Sequence, residues 1–220
     1  QFVCHHPLQR KTQQSEFRRI GAGYYQHSTT FKIMLFDDTY LTIASPSSGE
    51  YRDRGSKFIG FAYPVKSEEE VKQHIQHLRK EHPQANHHCS AFRLSPDPTV
   101  FRASDDREPS GSAGKPILGA ITSKGLTDVL VVVVRYFGGT LLGVPGLINA
   151  YRTAAAAALD NATIKEELIT EQYAISFSYD LMNDVHHFLR QFPVKIKSQE
   201  FEDPCRIIFD IRKSAALQIE

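Results

Sequence analysis

Residues 131–159 read VVVVRYFGGTLLGVPGLINAYRTAAAAAL. Four valines without polar alternation describe a strand covered on both faces, and the strand closes on a cation, Arg135. Gly138, Gly139, Gly143 and Gly146 punctuate the next stretch, and an alanine-rich helix follows whose small side chains permit close packing on a sheet. A glycine loop entering a helix presents unpaired backbone N–H groups and the positive end of the helix dipole, which favour an anion. The spacing is neither GxGxxG nor GxxxxGK followed by Ser or Thr, so no nucleotide fingerprint applies. Two readings stand: an anion site, or glycines that supply only backbone angles and close packing. In either, Arg135 needs a partner. That partner is a bound phosphate, or one of Asp105, Asp106 and Glu108.

The rest of the chain sets the frame. Its 220 residues are 41% hydrophobic and 23% charged, which fits one large globular domain or two small ones. A formal net charge of +1 means that any attraction to nucleic acid must come from a local patch. Cys4, Cys89 and Cys205 are odd in number and lack CxxC spacing, so a reducing, cytoplasmic setting is expected. No apolar run approaches the roughly 20 residues that cross a bilayer, and no membrane partner is expected. Residues 1–35 show no sustained period and no signal-peptide core, and are expected to be an extension, disordered or loosely docked.

From Tyr40 the patterns sharpen. TYLTIAS reads as a strand, SPSSGE as a turn, and KFIGFAYPV as a strand with Phe58, Gly60 and Ala62 on one face. SEEEVKQHIQHLRKEHP reads as a helix capped by Ser67, with Val71, Ile75 and Leu78 as its apolar stripe and Pro83 beyond its end. NHHCSAFRLS and PTVFRAS read as further strands, and PILGAITSKGL as a short helix. ATIKEEL is charged and poorly patterned, and reads as a break. Beyond it, EQYAISFSY, a helix over DLMNDVHHFLRQF and the hairpin of VKIKSQEF with CRIIFDIRK form a second, small α+β unit over 168–220. With no closing strand after it, either the chain is cut short or that sheet has three strands.

Three clusters carry possible chemistry. SDDREPSGSAGKP holds Asp105, Asp106, Glu108, Ser110 and Lys115, a set able to bind a cation or move protons. Asp105 and Asp106 are neighbours, however, so on an extended segment they diverge, and a solvated turn is the plainer reading. His87, His88 and Cys89 are zinc-type ligands, but consecutive strand positions cannot converge on one ion, and no metal or cofactor is expected. One of the two histidines should face the core and the other the open surface. Nucleophilic catalysis has no GxSxG elbow to rest on, and no catalytic residue is assigned. Lys57, Arg93, Arg102, Arg107, Lys115, Lys124, Arg135 and Arg152 interleave with Tyr136, Phe137 and Tyr151, a combination able to hold an RNA backbone and stack bases.

YRDRGSKFIGFAYPV, NHHCSAFRL, DDREPSGSAGKPIL and VVVVRYFGGTLLGVPGLINAY resemble the IMPACT/YigZ family of translation-associated proteins. The last two stretches look like that family's DDGEPSGTAGKP and RWFGGxxLGxGGL patterns, in order. The resemblance covers roughly residues 40–165, and the tail from 168 looks like the small C-terminal domain of the bacterial branch. It implies an IMPACT-type domain over 36–165, similar to the second domain of ribosomal protein S five, followed by a ferredoxin-like domain over 168–220. The fold class expected is therefore α+β. Two departures stand out: Arg107 occupies the glycine position of DDGEP, and Val144-Pro145 precedes Gly146. A side chain resists the left-handed backbone that glycine adopts, so the acidic loop is expected to turn differently here. In eukaryotic relatives the family restrains the amino-acid-starvation kinase through its activator protein. The RWD module serving that role has no counterpart in these residues, so that partner is not expected.

The function expected is an RNA- or ribosome-associated regulator without enzymatic chemistry. Its binding surface would be built from His88, Asp105, Asp106, Glu108, Ser110, Lys115, Arg135, Gly138 and Gly139. The partners would be RNA, the ribosome or a translation factor. Two alternatives remain: an enzyme or binding protein for a phosphorylated or nucleotide-like small molecule, and a protein-interaction module. Oligomeric state is not legible.

Overall fold

The computed structural model describes residues 38–97 and 99–216. The expected N-terminal extension, 1–35, lies outside the described residues. The chain divides into two compact units, one spanning Thr39–Leu168 and the other formed by Ile169 onward together with Asp38.

The larger unit begins with β1 (Thr39–Ile43), β2 (Ser47–Asp53) and β3 (Ser56–Pro64). Helix α1 (Glu68–Glu81) follows, then β4 (His87–Arg93) and β5 (Phe101–Ser104), helix α2 (Gly114–Ser123), β6 (Val129–Tyr136), helix α3 (Gly143–Asp160) and β7 (Ile164–Leu168). Five strands pair in the order β2-β3-β6-β4-β5, every neighbour antiparallel. β6 lies at the centre, and its unbroken valine run is explained by cover on both sides. Val131 and Val133 join the core with α2 and α3, whereas Leu130, Val132 and Val134 join Val71 and Leu78 of α1. Ser67 caps α1 as its sequence predicts, its hydroxyl accepting from the Glu70 N–H at 3.2 Å.

The stretch expected to be a turn, SPSSGE, is largely strand: β2 takes up Ser47–Asp53, and the turn falls at Arg54-Gly55. The reason is α3. A Cβ on Gly49 would stand 2.5 Å from the Ala157 carbonyl carbon, and one on Gly60 would stand 2.4 Å from the Ala154 oxygen. These glycines mark a helix pressed onto two strands, not a reversal.

ATIKEEL, expected as a break, contains β7, which pairs antiparallel with β1 in a two-stranded sheet. Its charges are used. Lys66 Nζ lies 2.8 Å from Asp128 Oδ2 and 2.9 Å from Glu167 Oε2, and the single Tyr40 hydroxyl proton is shared between the same two carboxylates, 2.8 and 3.0 Å away. Lys165 and Lys66 together hold the Glu167 carboxyl down at about 2.

The smaller unit runs β8 (Thr170–Phe177), a 3₁₀ turn at Tyr179–Leu181, α4 (Met182–Leu189), β9 (Val194–Glu200), β10 (Cys205–Arg212) and the short α5 (Lys213–Ala216). Its three strands pair antiparallel in the order β8-β10-β9. Val185 and Leu189 of α4 close a core over Tyr173, Phe177, Ile207, Phe209 and Ile211. The architecture is α+β throughout. Among the described residues, no helix is long and apolar enough to cross a membrane.

Candidate functional site

Register decides what meets at the end of β6. Arg135 pairs with His87 on β4 and with Phe58 on β3. Alternation along β4 sends His87 to the same face as Cys89 and Ala91, toward α2 and α3. His88 goes to the opposite face, among the α1 side chains, and is buried. One histidine is thus a core residue, as expected, but it is His88. His87 is the one beside Arg135.

The loop after β5 brings in the acid. Arg135 Nη1 donates to Glu108 Oε1 at 2.5 Å, with both side chains almost wholly removed from water. The Tyr151 hydroxyl, from the third turn of α3, donates to the same oxygen at 2.7 Å, and His87 Nε2 stands 3.7 Å from it. Burial pushes the Tyr151 hydroxyl far above its usual range, reinforced by Cys89 and Glu108, so Tyr151 is fixed as a proton donor. The guanidinium lies 5.4 Å from the Phe58 ring centroid and 5.6 Å from that of Phe137, and among the described residues Arg135 Nε has no hydrogen-bond partner. Arg135 is therefore answered by a carboxylate of its own chain.

The other two acids diverge, as neighbours should. Asp105 points at the head of α2: Oδ1 accepts from the N–H groups of Ala113 and Gly114 at 3.0 and 2.7 Å, and Oδ2 from Gly111 at 2.8 Å. Burial raises its pKa, but these three donors outweigh that and the net shift is downward. Asp106 Oδ2 accepts from the His88 N–H at 2.7 Å, and Oδ1 pairs with Arg79 at 2.9 Å. Burial again opposes these donors, and again the net shift is downward.

Arg107 does adopt the left-handed backbone, at φ 71, as Asp106 does at φ 40. Arg107 thus takes the backbone region that was expected to need glycine. A contact offsets some of the strain: Arg107 Nη2 reaches the Asn86 carbonyl at 3.4 Å. Ser110 and Lys115 are exposed, the Lys115 side chain running beside Gly111.

Of the loop glycines, Gly138 is demanded by packing and Gly139 by conformation. A Cβ on Gly138 would fall 1.9 Å from the Gly55 carbonyl carbon, whereas Gly139 has open space and φ +86. Gly138 N–H donates to Ser56 Oγ at 3.1 Å, and Phe137 N–H to Asn86 Oδ1 at 2.9 Å. The loop thus frames a cleft of about 470 Å³, with Arg135, Glu108 and His87 at its floor and Phe137, Leu141, Val144 and Leu147 as walls. Sequence reasoning missed Tyr151 as a partner of Glu108 and Asn86 as the clasp of the loop. The signal for Tyr151 was a single aromatic hydroxyl on an alanine-rich helix that packs against the sheet. Among the described residues, no group of His, Cys, Asp and Glu is placed to hold a metal ion.

A family model described as the Impact N-terminal domain matches residues 54–159, the span holding β3 to α3 and every residue of this cleft. IMPACT family member YvyE of Bacillus subtilis is 32% identical over 165 residues, covering 75% of this chain and 76% of that protein. IMPACT family member YigZ of Escherichia coli is 32% identical over 167 residues, covering 75% and 82%. A solved structure described as a hypothetical protein superposes with a TM-score of 0.70 at 30% identity, covering 82% of this chain and 89% of that one.

Proposed function

The chain belongs to the IMPACT family, and from that premise we propose that it is a cytoplasmic, translation-associated regulator that binds structured RNA of the ribosome and performs no chemistry on it. The two units are read as relatives of the second domain of ribosomal protein S five and of a ferredoxin-like domain, both RNA-contacting modules of the translation apparatus.

One observation carries the reading. Phe137 and Leu141 line the cleft and are 44% and 82% exposed, and cations lie on segments that touch its lining. Arg107 reaches the carbonyl of Asn86, a lining residue, and Arg54 sits on the β2–β3 turn whose Gly55 abuts Gly138. Exposed Ser110 belongs to the same acidic loop, and exposed Lys115 to the first turn of α2. Aromatic and aliphatic side chains beside arginines and lysines suit an RNA surface, where cations meet phosphate and rings meet unstacked bases. Arg135 is not one of those cations, because Glu108 neutralises it. That pairing also removes the charge that a small phosphorylated substrate would need at the floor.

Filter binding of a structured ribosomal RNA fragment at two salt concentrations tests the proposal. Affinity should fall as salt rises, because phosphate contacts release counterions. Arg107→Ala should lower the salt slope by about one, and Phe137→Ala should weaken binding roughly tenfold at every salt. Binding that is absent, or indifferent to salt, would refute it.

A further inference from the structure

We infer that the cleft walled by Phe137, Leu141 and Val144 is a pocket for a single unpaired nucleobase, read at its edge by Arg135 and Glu108. This rests on the RNA-binding reading above and goes one step inside it.

The floor decides the ligand's charge. Arg135 and Glu108 form an internally neutral pair, so a phosphate group placed there would bring an uncompensated charge into a site screened from water. The pair is also incompletely satisfied. Arg135 Nε is buried and has no acceptor among the described residues. Glu108 receives Arg135 and Tyr151 on Oε1 alone, and no donor of the described residues reaches Oε2. A guanidinium donor beside a carboxylate acceptor matches a neutral ligand that presents an acceptor beside a donor. Each of the four nucleobases carries such a pair on its Watson–Crick edge, and unpairing exposes it. The walls decide the shape. Phe137, Leu141, Val144 and Leu147 give the lining an apolar part suited to the face of a flat ring. At about 470 Å³ the cleft lies in the ordinary range of small-ligand sites.

The test uses the full chain and nucleosides, which carry no phosphate. Adenosine, guanosine, cytidine and uridine are titrated while amide resonances of Phe137, Gly143 and Val144 are followed, with ribose and inorganic phosphate as controls. At least one nucleoside should move these resonances, and ribose and phosphate should not. Leu141→Ala changes a side chain that is 82% exposed and so leaves the fold intact; it should weaken the nucleoside roughly tenfold through lost stacking area. If inorganic phosphate moves the same resonances, the pocket is an anion site and the inference fails. If no nucleoside binds while structured RNA still binds with a salt dependence, the inference fails and the RNA reading survives. Nucleoside binding without RNA binding keeps the pocket and refutes the larger reading.

Discussion

Arg135 Nη1 lies 2.5 Å from Glu108 Oε1, across 27 residues of sequence and inside a shell that leaves both side chains almost dry. The contact joins the central strand to the acidic loop, and Tyr151 extends it into α3. The two sequence signatures of the domain are thus one physical unit, because each carries half of an ion pair that neither can bury alone.

Removing one partner should therefore cost more than removing both. Arg135→Met leaves a buried carboxylate without its cation and should destabilise the larger unit by about 3–5 kcal/mol. Arg135→Met with Glu108→Leu should recover a large part of that loss. Urea denaturation of both single variants and the double variant closes the cycle. Strictly additive losses would show that the pair contributes no coupling.

The glycines separate just as sharply. Gly138→Ala drives a Cβ to 1.9 Å from the Gly55 backbone and should cost about 3 kcal/mol, since neither backbone can yield without moving a strand. Gly119 lies inside α2 with nothing within 4 Å of the added atom, so Gly119→Ala should stabilise by about 0.5–1 kcal/mol through helix propensity. Thermal melts with opposite signs for the two variants are the expected result.

These contrasts show what the amino-acid order makes legible. The run at 131–134 announces a strand buried on both sides because nothing polar interrupts it, and Ser67 with its following glutamates announces the start of α1. β2 was hidden because Gly49 is there for the sake of Ala157, more than a hundred residues away, and a glycine beside serines looks like a turn. β7 was hidden because a strand in a two-stranded sheet, half wet, needs no apolar alternation. The binding surface was expected to include His88 rather than His87, because β4 is covered on both faces and only the register with β6 puts His87 opposite Arg135. Arg107 was misjudged because the cost of a left-handed residue is local, while the contacts that hold it come from Asn86.

His88 makes stability depend on pH near neutrality. Burial lowers its pKa from 6.5, Arg79 adds to the effect, and Asp106 opposes it in part. The sign follows: the unfolded chain takes the proton first, so stability is full above about pH 6.5 and declines as pH falls toward the lower folded value. His88→Phe should flatten that part of the profile while keeping the apolar contacts with α1. Urea midpoints measured from pH 7.5 to 5 check it. An unchanged slope in the variant would assign the dependence to another group.

Asp105 governs a second, more acidic window. α2 starts after Ala113, which has no side chain able to cap it, and Asp105 supplies the cap from eight residues upstream. Losing an acceptor for three backbone N–H groups should cost about 2 kcal/mol in Asp105→Ala. Asp105→Asn keeps one acceptor oxygen and should lose less. Because the folded carboxyl titrates below its usual 3.8, its contribution is complete above that value and disappears as pH falls through the lowered one. The asparagine variant should therefore lack the part of the acid-unfolding slope that belongs to this group. Hydrogen exchange at Gly111, Ala113 and Gly114 localises the effect: all three amides should exchange faster in Asp105→Ala at neutral pH. Protection unchanged at these amides would show that α2 finds its N-terminal acceptors elsewhere.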